Sequence, residues 1–235
     1  MRAAAAGAVV LLVLAGNVLA AGLAGTLPAD LPAAERTRLQ QVTDHPSVSA
    51  RANGDAFLLR RDVLEYLLDH PEFTTHVIQA LRVGRYRVWR EPDGLWLDDA
   101  AGAVAKFRVV YKASGSRVVH LQGSYKPRFL PALHGQVVAV LEYTAEPAAD
   151  GKSLITPTLT GIVKVDNRLL DAVSRLLSAV VTERAAKVTR RMVGDLTKTA
   201  RAIDGDPAGV DNRLSQWPGV SPHELAEFRR LLARP

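Results

Sequence analysis

The chain has few residues whose types and spacing could do chemistry. His70 and His76, beside Asp69 and Glu72, offer imidazole and carboxylate ligands. Helical metal ligands, however, pair at spacings of three or four, and Pro71 splits this segment, so no metal site is expected. Glu142 lies between apolar neighbours in a strand-like run. Turned inward it would hold a raised pKa and act as an acid or base, while the period of two equally allows an outward, solvated position, the more ordinary reading. His120 and His134 have no nucleophile at a spacing that would set a catalytic geometry. Serine-centred elbows and glycine-rich phosphate loops are absent from the sequence, as is cysteine, which excludes disulfides, thiolate ligands and a cysteine nucleophile. No catalytic residue and no cofactor are therefore assigned. If the chain is an enzyme, Glu142, His120 and Tyr143 are its candidates.

Charge gives a second lead. Lysine and arginine outnumber aspartate and glutamate by 30 to 24, which favours anionic partners without choosing among them. Arg184, Lys187, Arg190, Arg191, Lys198 and Arg201 fall within one helical stretch that also carries Val188, Met192 and Leu196. Such a face can rest on an anionic membrane surface or be simply solvated. Nucleic acid fits poorly, because no aromatic-basic motif supports base stacking.

The elements that would position these residues divide into four segments. Residues 1–20 have a positive start at Arg2, an apolar run centred on Val9 to Leu14, and in Val18-Leu19-Ala20 small or modest side chains at the two positions a signal peptidase reads, the layout of a secretory signal. Cleavage after Ala20 would give a periplasmic or secreted protein. The alternative is an uncleaved anchor, since residues 3–27 are long enough to cross a bilayer. Residues 21–47 read as a tether with a short, peripheral helix at 33–42. Residues 48–205 read as the main domain, and residues 206–235 as a loose linker followed by a short helix, which Ser221, Pro222 and Glu224 open with a capping box.

Within the main domain a strand at 56–59 precedes two short amphipathic helices, one beginning after Asp62 and one at 72–81. Six segments rich in valine, tyrosine, tryptophan and threonine follow, at 86–90, 95–98, 106–112, 117–125, 136–144 and 154–165. Turn residues such as Pro92-Asp93-Gly94 and Ser114-Gly115-Ser116 separate them, as an antiparallel meander requires. Phe107, Val109 and Tyr111 alternate with Arg108 and Lys112, which predicts one packed and one wet face. A proline-free stretch at 168–204 repeats apolar residues with helical spacing and supplies the cover.

The order of strand, two short helices, six antiparallel strands and a long C-terminal helix resembles the START-like superfamily, also called the polyketide cyclase or SRPBCC group. The run Val63-Leu64-Glu65-Tyr66-Leu67-Leu68-Asp69-His70-Pro71-Glu72-Phe73 is similar to that group's opening helices, and residues 135–143 to one of its central strands. The resemblance implies an α+β helix-grip fold whose long helix packs on the concave face of the sheet. It also implies a lipid, sterol, quinone or polyketide held between the two, with catalysis in a minority of members.

A gap between sheet and helix lined by apolar side chains would exclude water and accept an apolar guest. On the strands the expected walls are Tyr86, Trp89, Trp96, Phe107, Val109, Tyr111, Val119, Leu121, Tyr125, Val138, Val140 and Leu159. On the helix they are Val173, Leu177 and Val180. Apolar spacing does not distinguish a wall from a plug, so core filling stays open for each. The leading expectation is a monomeric, exported carrier or sensor of a hydrophobic small molecule or lipid. The alternatives are a cyclase- or hydrolase-type enzyme in the same cavity, and an envelope scaffold with a filled core.

Overall fold

The computed structural model describes residues 27–128, 131–166 and 174–233, with side chains described from residue 179 onward in the last stretch. The proposed signal segment, residues 1–20, lies outside the described residues.

Strands β1 (Val48–Asn53), β2 (Phe57–Leu59), β3 (Arg87–Glu91), β4 (Gly94–Asp98), β5 (Ala103–Ala113), β6 (Ser116–Tyr125), β7 (Leu133–Pro147) and β8 (Ser153–Val165) form one antiparallel sheet. Its order is β1-β8-β7-β6-β5-β4-β3, with β2 also paired to β8. The meander from β3 to β8 follows from its tight turns. At Gly94, Gly102, Gly115 and Gly151 the backbone takes a positive φ, a conformation glycine adopts without a Cβ penalty.

Between β2 and β3 lie α2 (Arg61–Asp69) and α3 (Pro71–Ala80). Pro71 takes the first position of α3, where its missing N–H costs nothing, and so divides the two helices. The long helix α4 (Ser174–Gly205) then packs against β1, β2 and β8. This is a helix-grip arrangement in an α+β protein.

Three features differ from the sequence expectation. Residues 48–53 form a strand, β1, that extends the sheet past β8. The connection to β2 passes close beneath α4 at Gly54, where a Cβ would lie 2.8 Å from both Pro157 and Val193. The helix α1 (Ala33–Thr43) is not peripheral: Leu39 and Val42 are fully buried and pack, with Leu31, on Val118, Val138, Val140 and Ile162. α1 thus covers the sheet face opposite α4, and both faces of the central strands are dry.

Residues 206–233 are also no loose linker. Helix α5 (Pro207–Ser215) starts with the Asp206 carboxylate accepting from Gly209 N–H at 2.8 Å, and α6 (Pro222–Leu232) starts with the Ser221 hydroxyl accepting from Glu224 N–H. Val210, Leu214, Leu225 and Phe228 join Phe57, Leu59, Leu64, Phe73 and Ile155 in the largest apolar cluster of the described residues. α2 is fastened to the sheet at this end by Arg117, whose side chain is 4% exposed and pairs with Glu65 and Asp69.

Candidate cavity between the sheet and the long helix

The cavity arises where the sheet lacks side chains. Strand register sets Ala105 opposite Gly123 and Gly123 opposite Gly135; in a second row Ala139 faces Gly161, and Gly161 faces Ala50. Mid-strand glycine weakens a strand and marks a place where backbone or ligand must come close. Here the two rows hollow the floor. A Cβ on Gly123 would fall within 2.6 Å of Ala105, and one on Gly161 would fall 3.2 Å from the Thr189 hydroxyl of α4.

Leu97, Leu121, Val137, Leu159, Val163 and Val165 supply apolar walls on the strands, and Val181, Ala185, Val188 and Met192 supply them on α4. The space between them is about 240 Å³ and is partly open. That lies just under the roughly 300–1,000 Å³ of sites for drug-sized ligands, so the space suits a small guest or one part of a longer guest.

One side of the cavity is polar. Asp99, at the start of the β4–β5 connection, is 6% exposed, and its Oδ1 accepts from the backbone N–H groups of Ala101 and Ala103 at 2.8 and 3.0 Å. Its Oδ2 pairs with Arg184 and lies 3.6 Å from Arg191 Nη2. Arg184 also stands 4.9 Å above the Tyr125 ring, a cation–π distance. The Tyr86 phenol is pushed well above its usual range, first by burial and then by the Asp195 carboxylate. Asp195 in turn is raised by burial, and its Oδ2 is buried without a hydrogen-bond partner.

Of the expected walls, Tyr86, Leu121, Tyr125 and Leu159 border this space. Phe107, Val109 and Val119 share the same sheet face without reaching it. Val180 is half-buried on α4 and does not line it. Val173 and the side chain of Leu177 lie outside the described residues.

Five expectations need correction, because strand alternation sends neighbours to opposite faces. Leu97 and Val137 face the cavity, so Trp96 and Val138 face away. Val140 follows Val138 beneath α1. Trp89 pairs with Trp96 in register, and their rings stack at 6.5 Å on the outer face. Tyr111 would have followed Phe107 and Val109, but a register shift between Val109 and Tyr111 turns it outward, where its hydroxyl donates to Asp30 at 2.6 Å. A β-bulge of this kind inverts the alternation beyond it.

The cation face divides likewise. Arg184 and Arg191 turn into the cavity, whereas Lys187 and Arg190 are exposed. Lys198 pairs loosely with Asp195 at 4.0 Å, and Arg201 bonds the Ala56 carbonyl at 2.9 Å. The enzyme candidates do not meet in the cavity. Glu142 is exposed on the face away from α4, His120 bonds Gln136 on that face at 2.9 Å, and the Tyr143 hydroxyl donates to Glu65 at the far end of the sheet.

Sequence reasoning missed Asp99 and the small-residue rows. The signal for the rows was present in Gly123, Gly135 and Gly161, three mid-strand glycines that no turn required.

No family model matches the chain, and no curated protein matches it. Among solved structures it is similar to the di-domain ARO/CYC StfQ from the steffimycin biosynthetic pathway, with a TM-score of 0.37 and 16% identity. The likeness covers 75% of this chain and 56% of that one, so the chain spans little more than half the length of that protein.

Proposed function

We propose that this protein is a carrier or sensor that holds a small, largely apolar molecule between the sheet and α4. The observation that carries the reading is the 240 Å³ space over a floor of alanine and glycine, bordered on α4 by Val181, Ala185, Val188 and Met192. Side chains that served only to fill a core would close that floor, since protein interiors are packed at crystal-like density. An enzyme built on Glu142, His120 and Tyr143 has no such support, because none of the three borders the cavity: His120 and Glu142 lie on the opposite face of the sheet, and the Tyr143 hydroxyl is taken up by Glu65.

The test is mass spectrometry of an organic extract of the purified full chain. An apolar compound recovered from the wild type and lost when Ala185→Phe fills the cavity supports the reading. The same compounds from both proteins would refute it.

Two accompanying proposals concern where the carrier works. Export through residues 1–20 predicts a mature N-terminus near Ala21, and Met1 retained in the membrane fraction would refute it. Among the described residues no helix is long and apolar enough to cross a membrane. Docking on anionic lipid rests on the exposed Lys187 and Arg190. Salt-sensitive co-sedimentation with anionic vesicles, lost in Arg190→Glu, is the expected result, and equal sedimentation with neutral vesicles would refute it.

A further inference from the structure

The polar side of the cavity holds more positive charge than its own carboxylates offset. Arg184 and Arg191 lie two turns apart on α4, so both project from one face of the helix. Both converge on Asp99 Oδ2. Asp99 is already fully engaged, because its other oxygen accepts from two backbone N–H groups. Asp195 is not among the lining residues, and its ion-pair partner at 4.0 Å is the exposed Lys198. Among the described residues that line the space, two guanidinium groups therefore face one carboxylate, Asp99.

The guanidinium groups also have donors to spare. Arg184 spends one nitrogen on Asp99 and stands over the Tyr125 ring. Arg191 makes a single long bond, 3.4 Å, to the Asp99 carbonyl, and its Nε is buried with no hydrogen-bond partner. A buried donor left unmade is costly, and guanidinium forks match the geometry of carboxylate and phosphate oxygens. The Tyr86 phenol, held protonated by its surroundings, borders the same space as a further neutral donor.

We propose that the guest of this cavity is an amphipathic acid whose apolar part lies over the alanine and glycine floor and whose anionic oxygens seat against Arg191 and Arg184. The proposal rests on the cavity reading above and names the chemical class of its ligand. Asp99 holds Arg184 in place, and Arg191, one-third exposed at the edge of the space, completes the contact.

The experiment is isothermal titration of the full chain with three probes of equal length: decanoate, 1-decanol and decylammonium. Wild type, Arg191→Gln, Arg191→Lys and the cavity-filled Ala185→Phe are compared. Decanoate is expected to bind wild type about tenfold or more tightly than 1-decanol, the scale of a charge-assisted hydrogen bond, with decylammonium weakest. Arg191→Gln should lose most of that preference while retaining its affinity for 1-decanol, which also reports that the variant is folded. Arg191→Lys should fall between. Equal affinity of wild type for decanoate and 1-decanol would overturn the anionic-ligand inference and leave the cavity reading standing, provided Ala185→Phe abolishes binding of both. A preference for decanoate that survives in Arg191→Gln would overturn the assignment of the group to Arg191. Failure of all three probes to bind wild type would overturn the cavity reading and this inference together.

Discussion

Replacing Phe228 with alanine tests whether the last thirty residues belong to the core. Phe228 is fully buried, with the Phe73 and Tyr66 rings at 5.3 and 6.2 Å. Truncating a buried phenylalanine to alanine costs about 3–5 kcal/mol, from lost transfer energy and the cavity left behind. Small proteins hold only about 5–15 kcal/mol in all. At about 2–4 °C per kcal/mol in a protein of this size, the melting temperature should fall by roughly 6–20 °C. Urea unfolding followed by circular dichroism is the assay, with Arg230→Ala, an exposed neighbour on α6, expected within about 0.5 kcal/mol of wild type. A loss under about 1 kcal/mol for Phe228→Ala, at unchanged denaturant slope, would show that α6 is an appendage and refute its place in the core.

Two further substitutions probe the opposite face and the polar side of the cavity. Leu39→Ala in α1 should cost about 2–5 kcal/mol, because Leu39 is fully buried against the back of the sheet; a change near zero in the unfolding midpoint would return α1 to the role of tether. Asp195→Asn should stabilise the protein at neutral pH. Burial raises the folded-state pKa of Asp195 above its unfolded value near 4, so its contribution is complete below that value and is lost as pH rises through the folded pKa. The gain from asparagine should therefore be larger at pH 7 than at pH 4, and a variant that melts lower than wild type at pH 7 would contradict the sign.

The meander was legible because each of its turns carries residues suited to tight reversal, and the helix grip because residues 174–205 keep one apolar stripe without proline. Which strand residues face the cavity was not. The run Val137-Val138-Ala139-Val140 is apolar on both sides because α1 dries one face and α4 the other, so alternation had no polar partner to fix its phase. Tyr111 was lost to a bulge, whose extra residue leaves no mark in an apolar run. α5 was readable in principle, since Asp206 followed by Pro207 carries the same capping signal as Ser221 followed by Pro222. Asp99 could not be singled out, because its partners Arg184 and Arg191 lie more than eighty residues away and only the fold brings them together.

The most direct test of the cavity is methyl NMR of the full chain titrated with 1-decanol, because the two faces of β7 and β8 serve as each other's control. Val137 and Val163 line the cavity, whereas Val138, Val140 and Ile162 pack beneath α1. The prediction is saturable shifts of the Val137, Val163 and Met192 methyls, with Val138, Val140 and Ile162 unmoved. Shifts confined to the α1 face, or none at saturating 1-decanol, would contradict an apolar guest held between the sheet and the long helix.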